Sequence, residues 1–356
     1  MNLQNRLESA FHHNAALFSG ACLAKQGEYS LLSIAKGQAN KDFAIPNRID
    51  TRFDTASITK VFTAAATLLL VQSGDICLTD RIYDLIDLNG TAIPNDVTVK
   101  HLLSHTSGIA DDADEEDGED YAALFVDTPN YAIRNCADFL PQFAYKAPRF
   151  KAGTSVRYNN CAFILLGLAI EKRAKMSYRD FVTEQIFRKA GMEDTCFCAK
   201  DEVCKNRAEG YFAVRDEAGG LIEWKKNIYS QPPVGTSDAG AYTTVGDLDC
   251  FIRVLRDGRL LSPLYTDMLF SPQCPFTKPH RLGTWRMGYA FEFIESEKEI
   301  FCVYKEGCNA GVDAILSYYP ALDVTLHLLA NEDGGLWPLY RALQQVLLCE
   351  FNSTLT

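Results

Sequence analysis

The order of strand and helix signals along this chain restricts its fold more than any other feature. Residues 20–25 and 29–36 alternate as two strands, joined at Gln26-Gly27-Glu28 as a hairpin. Strand signals return only near the other end, at 287–294, 300–305, 314–319 and 324–330. Between them helical spacing dominates. Residues 57–73 carry Val61, Phe62, Ala65, Leu68 and Leu69 along one side, with Gly74 as a C-cap. Residues 99–103, 162–172 and 178–190 continue the helical pattern, and short helices are expected at 3–11 and 336–349. A sheet must therefore draw its strands from both termini around an inserted helical region. The expected fold is α/β (α+β): an antiparallel sheet from both termini, flanked by helices, with a large mostly helical insert. Residues 1–56 and 236–356 form the sheet domain, 57–235 the helical one, and an active site is expected at their junction.

A chain of 356 residues with 47% hydrophobic and 23% charged residues can bury a large core. No apolar run reaches the length needed to span a bilayer. The opening residues carry charges where a secretion signal needs an apolar stretch, so a cytoplasmic chain is expected. The net charge of −11 argues against nucleic acid or an anionic membrane surface as partner. Twelve scattered cysteines read as free thiols, and the tightest group, Cys196, Cys198 and Cys204, lacks a fourth metal ligand. Eight carboxylates crowd residues 111–120, which predicts a solvated, mobile loop. An EF-hand there would need Ala113 and Leu124 as ligands, which is impossible. No cofactor and no metal are expected.

The chemistry-bearing residues begin with Ser57-Ile58-Thr59-Lys60 at a helix start. On a helix, positions i and i+3 lie roughly 5–6 Å apart, so the amine reaches the hydroxyl. Unpaired N–H groups at a helix start also suit a developing oxyanion. A second match, Ser33-Ile34-Ala35-Lys36, lies in a strand, where i and i+3 face opposite ways. Arg157-Tyr158-Asn159-Asn160 offers a phenol which, near two lysines, can be partly ionised and shuttle a proton. Taken alone, a buried hydrogen-bonded tyrosine explains it better. Lys305-Glu306-Gly307-Cys308 ends a strand, where glycine permits close approach and the Cys308 N–H can serve as an oxyanion donor. Asp247 reads as a capping-box residue after Thr244.

Ser-x-x-Lys, Tyr-x-Asn and Lys-x-Gly in this order resemble the penicillin-recognising serine hydrolases. The likeness is to the branch with class C β-lactamases, D-alanyl-D-alanine carboxypeptidases and family VIII carboxylesterases. Residues 53–60, 191–195, 239–244 and 318–320 resemble further family segments, and 101–108 resembles the "HLLtHtSG" signature. The resemblance implies Ser57 as nucleophile, Lys60 as base and Tyr158 as proton shuttle. It implies Asn160 as a substrate hydrogen-bond donor, Lys305 acting electrostatically on Tyr158 and substrate, and an oxyanion hole from the N–H groups of Ser57 and Cys308 beside Gly307. His101 and His105 fall in a structural stretch. Glu306 departs from the family, which places a hydroxyl or another residue there, and a glutamate repels a substrate carboxylate. The implied partner is a small ester, amide or β-lactam. An acyltransferase on the same fold, or a catalytically silent binding protein, are the alternatives.

Overall fold

A computed structural model describes residues 2–355. Its main sheet has eight strands: β1 (Gly20–Gln26), β2 (Tyr29–Lys36), β3 (Thr277–His280), β4 (Gly283–Met287), β5 (Glu292–Ser296), β6 (Glu299–Asn309), β7 (Val312–Tyr319) and β8 (Val324–Ala330). The order is β2-β1-β8-β7-β6-β5-β4-β3, antiparallel throughout. β1 lies beside β8, so the two ends of the chain meet inside one sheet, as expected from the order of the signals.

Helices α1 (Leu3–Asn14) and α5 (Leu336–Leu355) cover one face, burying Leu7, Phe11, Leu339, Leu343 and Phe351. The other face packs on α4 (Val245–Arg256), whose Phe251 meets Phe62 of α2 (Thr59–Ser73), and α3 (Cys161–Ala174) packs against α2 in the same core. Eleven of the fifteen α2 residues are buried, so this helix is surrounded by protein, and Gly74 ends it in the left-handed conformation.

Several expectations need correction. By length and composition residues 56–73 are apolar enough to cross a membrane, but they form a core helix. The single strand expected at 287–294 is two, β4 and β5, because the chain reverses at Gly288, whose N–H donates to the Phe291 carbonyl. β3 gave too short a pattern to be seen. The helical region also holds a hairpin, Tyr211–Arg215 with Leu221–Lys226, closed by Asp216 accepting from the Ala218 and Gly220 N–H groups.

Candidate active site

The two-residue strand Phe53–Asp54 pairs with Tyr242–Thr243 and fixes the segment that enters α2. Ala56 then takes φ 41°, rare for a residue with a Cβ, and its N–H donates to Asp54 Oδ1 at 2.8 Å. Ser57 therefore lies in a tight 3-10 turn, Ala56–Ile58, one step before the α-helix rather than in its first turn. Lys60, a turn further on, is fully buried. Its Nζ donates to Ser57 Oγ at 3.0 Å, Asn160 Oδ1 at 2.7 Å and the Asp238 carbonyl at 2.9 Å. Burial lowers its pKa to about 8, with Lys305 adding to the effect and Asp238 opposing it. The other Ser-x-x-Lys fails as a pair: Lys36 Nζ turns to the carbonyls of Ala15 and Ala16.

Tyr158 lies beside Ser57 on the wall of the same cavity. Lys60 Nζ and Lys305 Nζ stand 5.0 and 4.5 Å from its ring centroid, and His105 stacks on the ring at 4.7 Å. The phenol is not partly ionised as its lysine neighbours suggested. Burial pushes its pKa well above 10, and Glu115 adds to the rise. It is a proton donor at neutral pH. His105 is buried, its Nδ1 accepts from the Asn159 N–H, and burial holds it neutral. His101 closes a capping box with Thr98. Asp247 does less than expected: its N–H donates to Thr244, but its carboxylate accepts from the Asp194 N–H and Thr195 Oγ1.

The pairing of β5 with β6 stops at Glu292↔Tyr304, whereas β7 follows β6 to Asn309. Residues 305–309 thus leave one edge of β6 open beside Ser57. Gly307 is required there, since a Cβ would lie 2.2 Å from the Thr55 carbonyl oxygen and 3.2 Å from the Ser57 nitrogen. Cys308 follows, its side chain turned to Asp313 at 3.3 Å. Lys305 is buried and paired with Glu292 at 2.9 Å, while Trp285 Nε1 donates to the other Glu292 oxygen at 2.7 Å. Burial raises the Glu292 pKa, but Lys305, Trp285 and Tyr304 together outweigh it and the net shift is downward. Glu292 was missed in the sequence because only strand pairing brings it to Lys305. Ser57, Tyr158, Trp285, Lys305, Glu306 and Cys308 line one cavity of about 530 Å³.

Asn160 commits its amide oxygen and one of its two amide N–H groups within the protein. Its Oδ1 accepts from Lys60 and its Nδ2 donates to Glu115 at 3.0 Å, so it positions the lysine. The acidic segment is solvated only in its second part, since residues 115–120 are exposed and those before them are not. Asp111, Asp112 and Asp114 are buried, and Asp111 accepts the N–H groups of Asn160 and Cys161 at the start of α3. Asp114 takes Arg157 at 2.6 Å and Arg149 at 3.0 Å, which ties the segment to the residues just before Tyr158. Glu116 accepts the Tyr158 N–H at 3.0 Å. Replacing Asp114 by alanine removes the buried partner of Arg157, leaves it only the exposed Asp117, and loosens the segment just before Tyr158. The expected result is a several-fold fall in kcat with little change in the reactivity of Ser57 toward a fluorophosphonate; equal rates would remove the brace.

Residues 10–348 match the Beta-lactamase family. The chain belongs to that family. Among relatives of this Beta-lactamase-family chain, "Penicillin-binding protein 4*" of Bacillus subtilis (strain 168) is 31% identical over 183 residues, 50% of this chain and 38% of that protein. The chain spans less than half the length of such curated relatives. A penicillin binding protein from Bacillus halodurans superposes with TM-score 0.87 at 32% identity, covering 96% of this chain and 99% of that one. D-amino acid amidase from Ochrobactrum anthropi shares the fold, with TM-score 0.77, 20% identity and coverage of 99% and 100%.

Proposed function

We propose that this chain is a serine hydrolase that cleaves small esters or amides through an acyl-enzyme on Ser57. The observation that carries this is the 3.0 Å contact of a fully buried lysine amine, its pKa lowered to about 8, with the Ser57 hydroxyl. Neutral Lys60 accepts the Ser57 proton as Oγ bonds to the carbonyl carbon, and the carbonyl electron pair moves to oxygen. The N–H groups of Ser57 and Cys308 stabilise that oxyanion. When the tetrahedral species collapses, Tyr158 gives its proton to the leaving group and recovers one from Lys60. Water then attacks the ester by the same route in reverse. Lys305, held by Glu292, sits over the Tyr158 ring and stabilises negative charge developing on its oxygen.

Intact-mass analysis after incubation with a fluorophosphonate tests the reading. One adduct is expected on the wild type and none on a folded Ser57→Ala variant; an adduct on both moves the nucleophile elsewhere. Carboxylate-bearing substrates should be poor ones, because the Lys305 charge is already engaged by Glu292 and Glu306 adds a second negative group. p-Nitrophenyl acetate should be turned over better than a cephalosporin, and Glu306→Thr should narrow that gap. A wild-type preference for the cephalosporin contradicts the argument. We also propose a reducing, cytoplasmic setting, which the twelve unbridged cysteines support. Thiol alkylation at the moment of lysis should label all twelve on the denatured chain.

A further inference from the structure

Around the cavity the charges do not balance. Glu116 pairs with Lys278 at 3.3 Å and Glu292 with Lys305 at 2.9 Å. Glu115 and Glu306 line the same cavity, and neither has a cationic partner within salt-bridge distance among the described residues. Glu306 stands at the mouth of this space, where the Glu292 and Asp313 carboxylates repel its charge and a bound cation relieves that repulsion. Desolvation, then Glu292, pushes the Glu306 pKa up to about 7. The cavity also offers an aromatic and thioether floor, Trp285 and Met287. A lysine ammonium already lies over that indole, with Lys278 Nζ 5.3 Å from the ring centroid.

The position of this space identifies the part of the substrate that fills it. Tyr158 delivers a proton to the leaving group, so the leaving group lies against Tyr158, and the residues beyond Tyr158 wall its pocket. Building on the hydrolase reading above, we infer that this enzyme selects substrates whose leaving alcohol or amine carries a cationic ammonium group, with Glu306 as the specificity-determining residue. The ammonium sits between Glu306 and Glu115 with its alkyl groups on Trp285. The reaction itself is unchanged; only the group expelled is charged.

Acetylcholine and its uncharged isostere 3,3-dimethylbutyl acetate give the same acetyl-Ser57, so their deacylation is identical and they differ only in the leaving group. At low ionic strength the kcat/KM ratio should favour acetylcholine by about tenfold or more, and it should shrink as salt rises. Glu306→Gln should bring the ratio toward one, while Glu223→Gln, the same charge change on the exposed hairpin, leaves it in place. A ratio of one or below, with the neutral ester turned over, overturns the inference. If neither ester is turned over, the hydrolase reading fails and binding decides the cation site alone. Choline, but not 3,3-dimethylbutanol, should then shift the Trp285 indole N–H resonance in the wild type and not in Glu306→Gln. Equal shifts from both compounds, or none, overturn it.

Discussion

Replacing Lys60 by methionine is expected to lower kcat/KM on p-nitrophenyl acetate by about 10²–10⁴-fold, the range for losing a positioned acid–base group. Methionine keeps most of the buried volume and removes the amine. Asn160 Oδ1 and the Asp238 carbonyl each lose a donor, at about 1–3 kcal/mol per unsatisfied group, and removing a buried ammonium offsets part of that cost. The variant should therefore fold, which circular dichroism checks. Its pH profile is the sharper readout. The lysine pKa is lowered to about 8, so the neutral, proton-accepting form is about one-tenth of the population at pH 7. The wild-type rate should climb with pH, then level above about 8, while Tyr158, its pKa pushed well above 10, stays protonated. The methionine variant should lose the limb near pH 8. A limb that survives belongs to another group, and Lys60 is then not the base.

What the sequence disclosed and what it hid follow from the range of the interactions. Ser57 and Lys60 are three residues apart, so helical geometry alone brings them into contact. The two-ended sheet was legible because strand periodicity is local and the helical middle separates its two groups. Glu292 was invisible. It reaches Lys305 through the register of β5 on β6, and its own neighbours in sequence give no sign of that. The first part of the acidic segment misled for a related reason. Charge density normally means solvent, but Arg149 and Arg157, some forty residues on, compensate Asp114, and the α3 N-terminus takes Asp111. Asn160 also meets Lys60 and Glu115, two contacts across the fold that its own sequence neighbours do not announce. Glu292 and the buried acidic residues were hidden in contacts between distant segments, whereas the Ser57–Lys60 pair follows from spacing along the chain, and Tyr158 and Lys305 came to the same cavity as the motif resemblance implied.

Gly307 supports the companion expectation. Its missing side chain lets β6 run against the turn that carries Ser57, where a Cβ would stand 2.2 Å from the Thr55 carbonyl oxygen. That atom belongs to backbone, held by the Thr55 N–H donating to the Ala241 carbonyl at 2.9 Å, so it cannot swing aside. Alanine at 307 must push strand and turn apart by about 1 Å, the scale at which a misplaced group costs about 10²-fold. The Cys308 N–H moves with the strand and leaves the Ser57 N–H, and losing one oxyanion donor costs about 10²–10³-fold in kcat. Gly307→Ala should therefore lose at least about 10²-fold in kcat on p-nitrophenyl acetate, with about 1–3 kcal/mol of stability lost to overpacking. KM should change far less, since the strain falls on the transition-state oxygen. Gly246→Ala is the control. Its Cβ meets only Thr244 Oγ1, at 3.7 Å in the first turn of α4, and activity and melting temperature should hold. If Gly307→Ala keeps the wild-type kcat, β6 does not supply the oxyanion donor, and the second donor must come from a group other than Cys308.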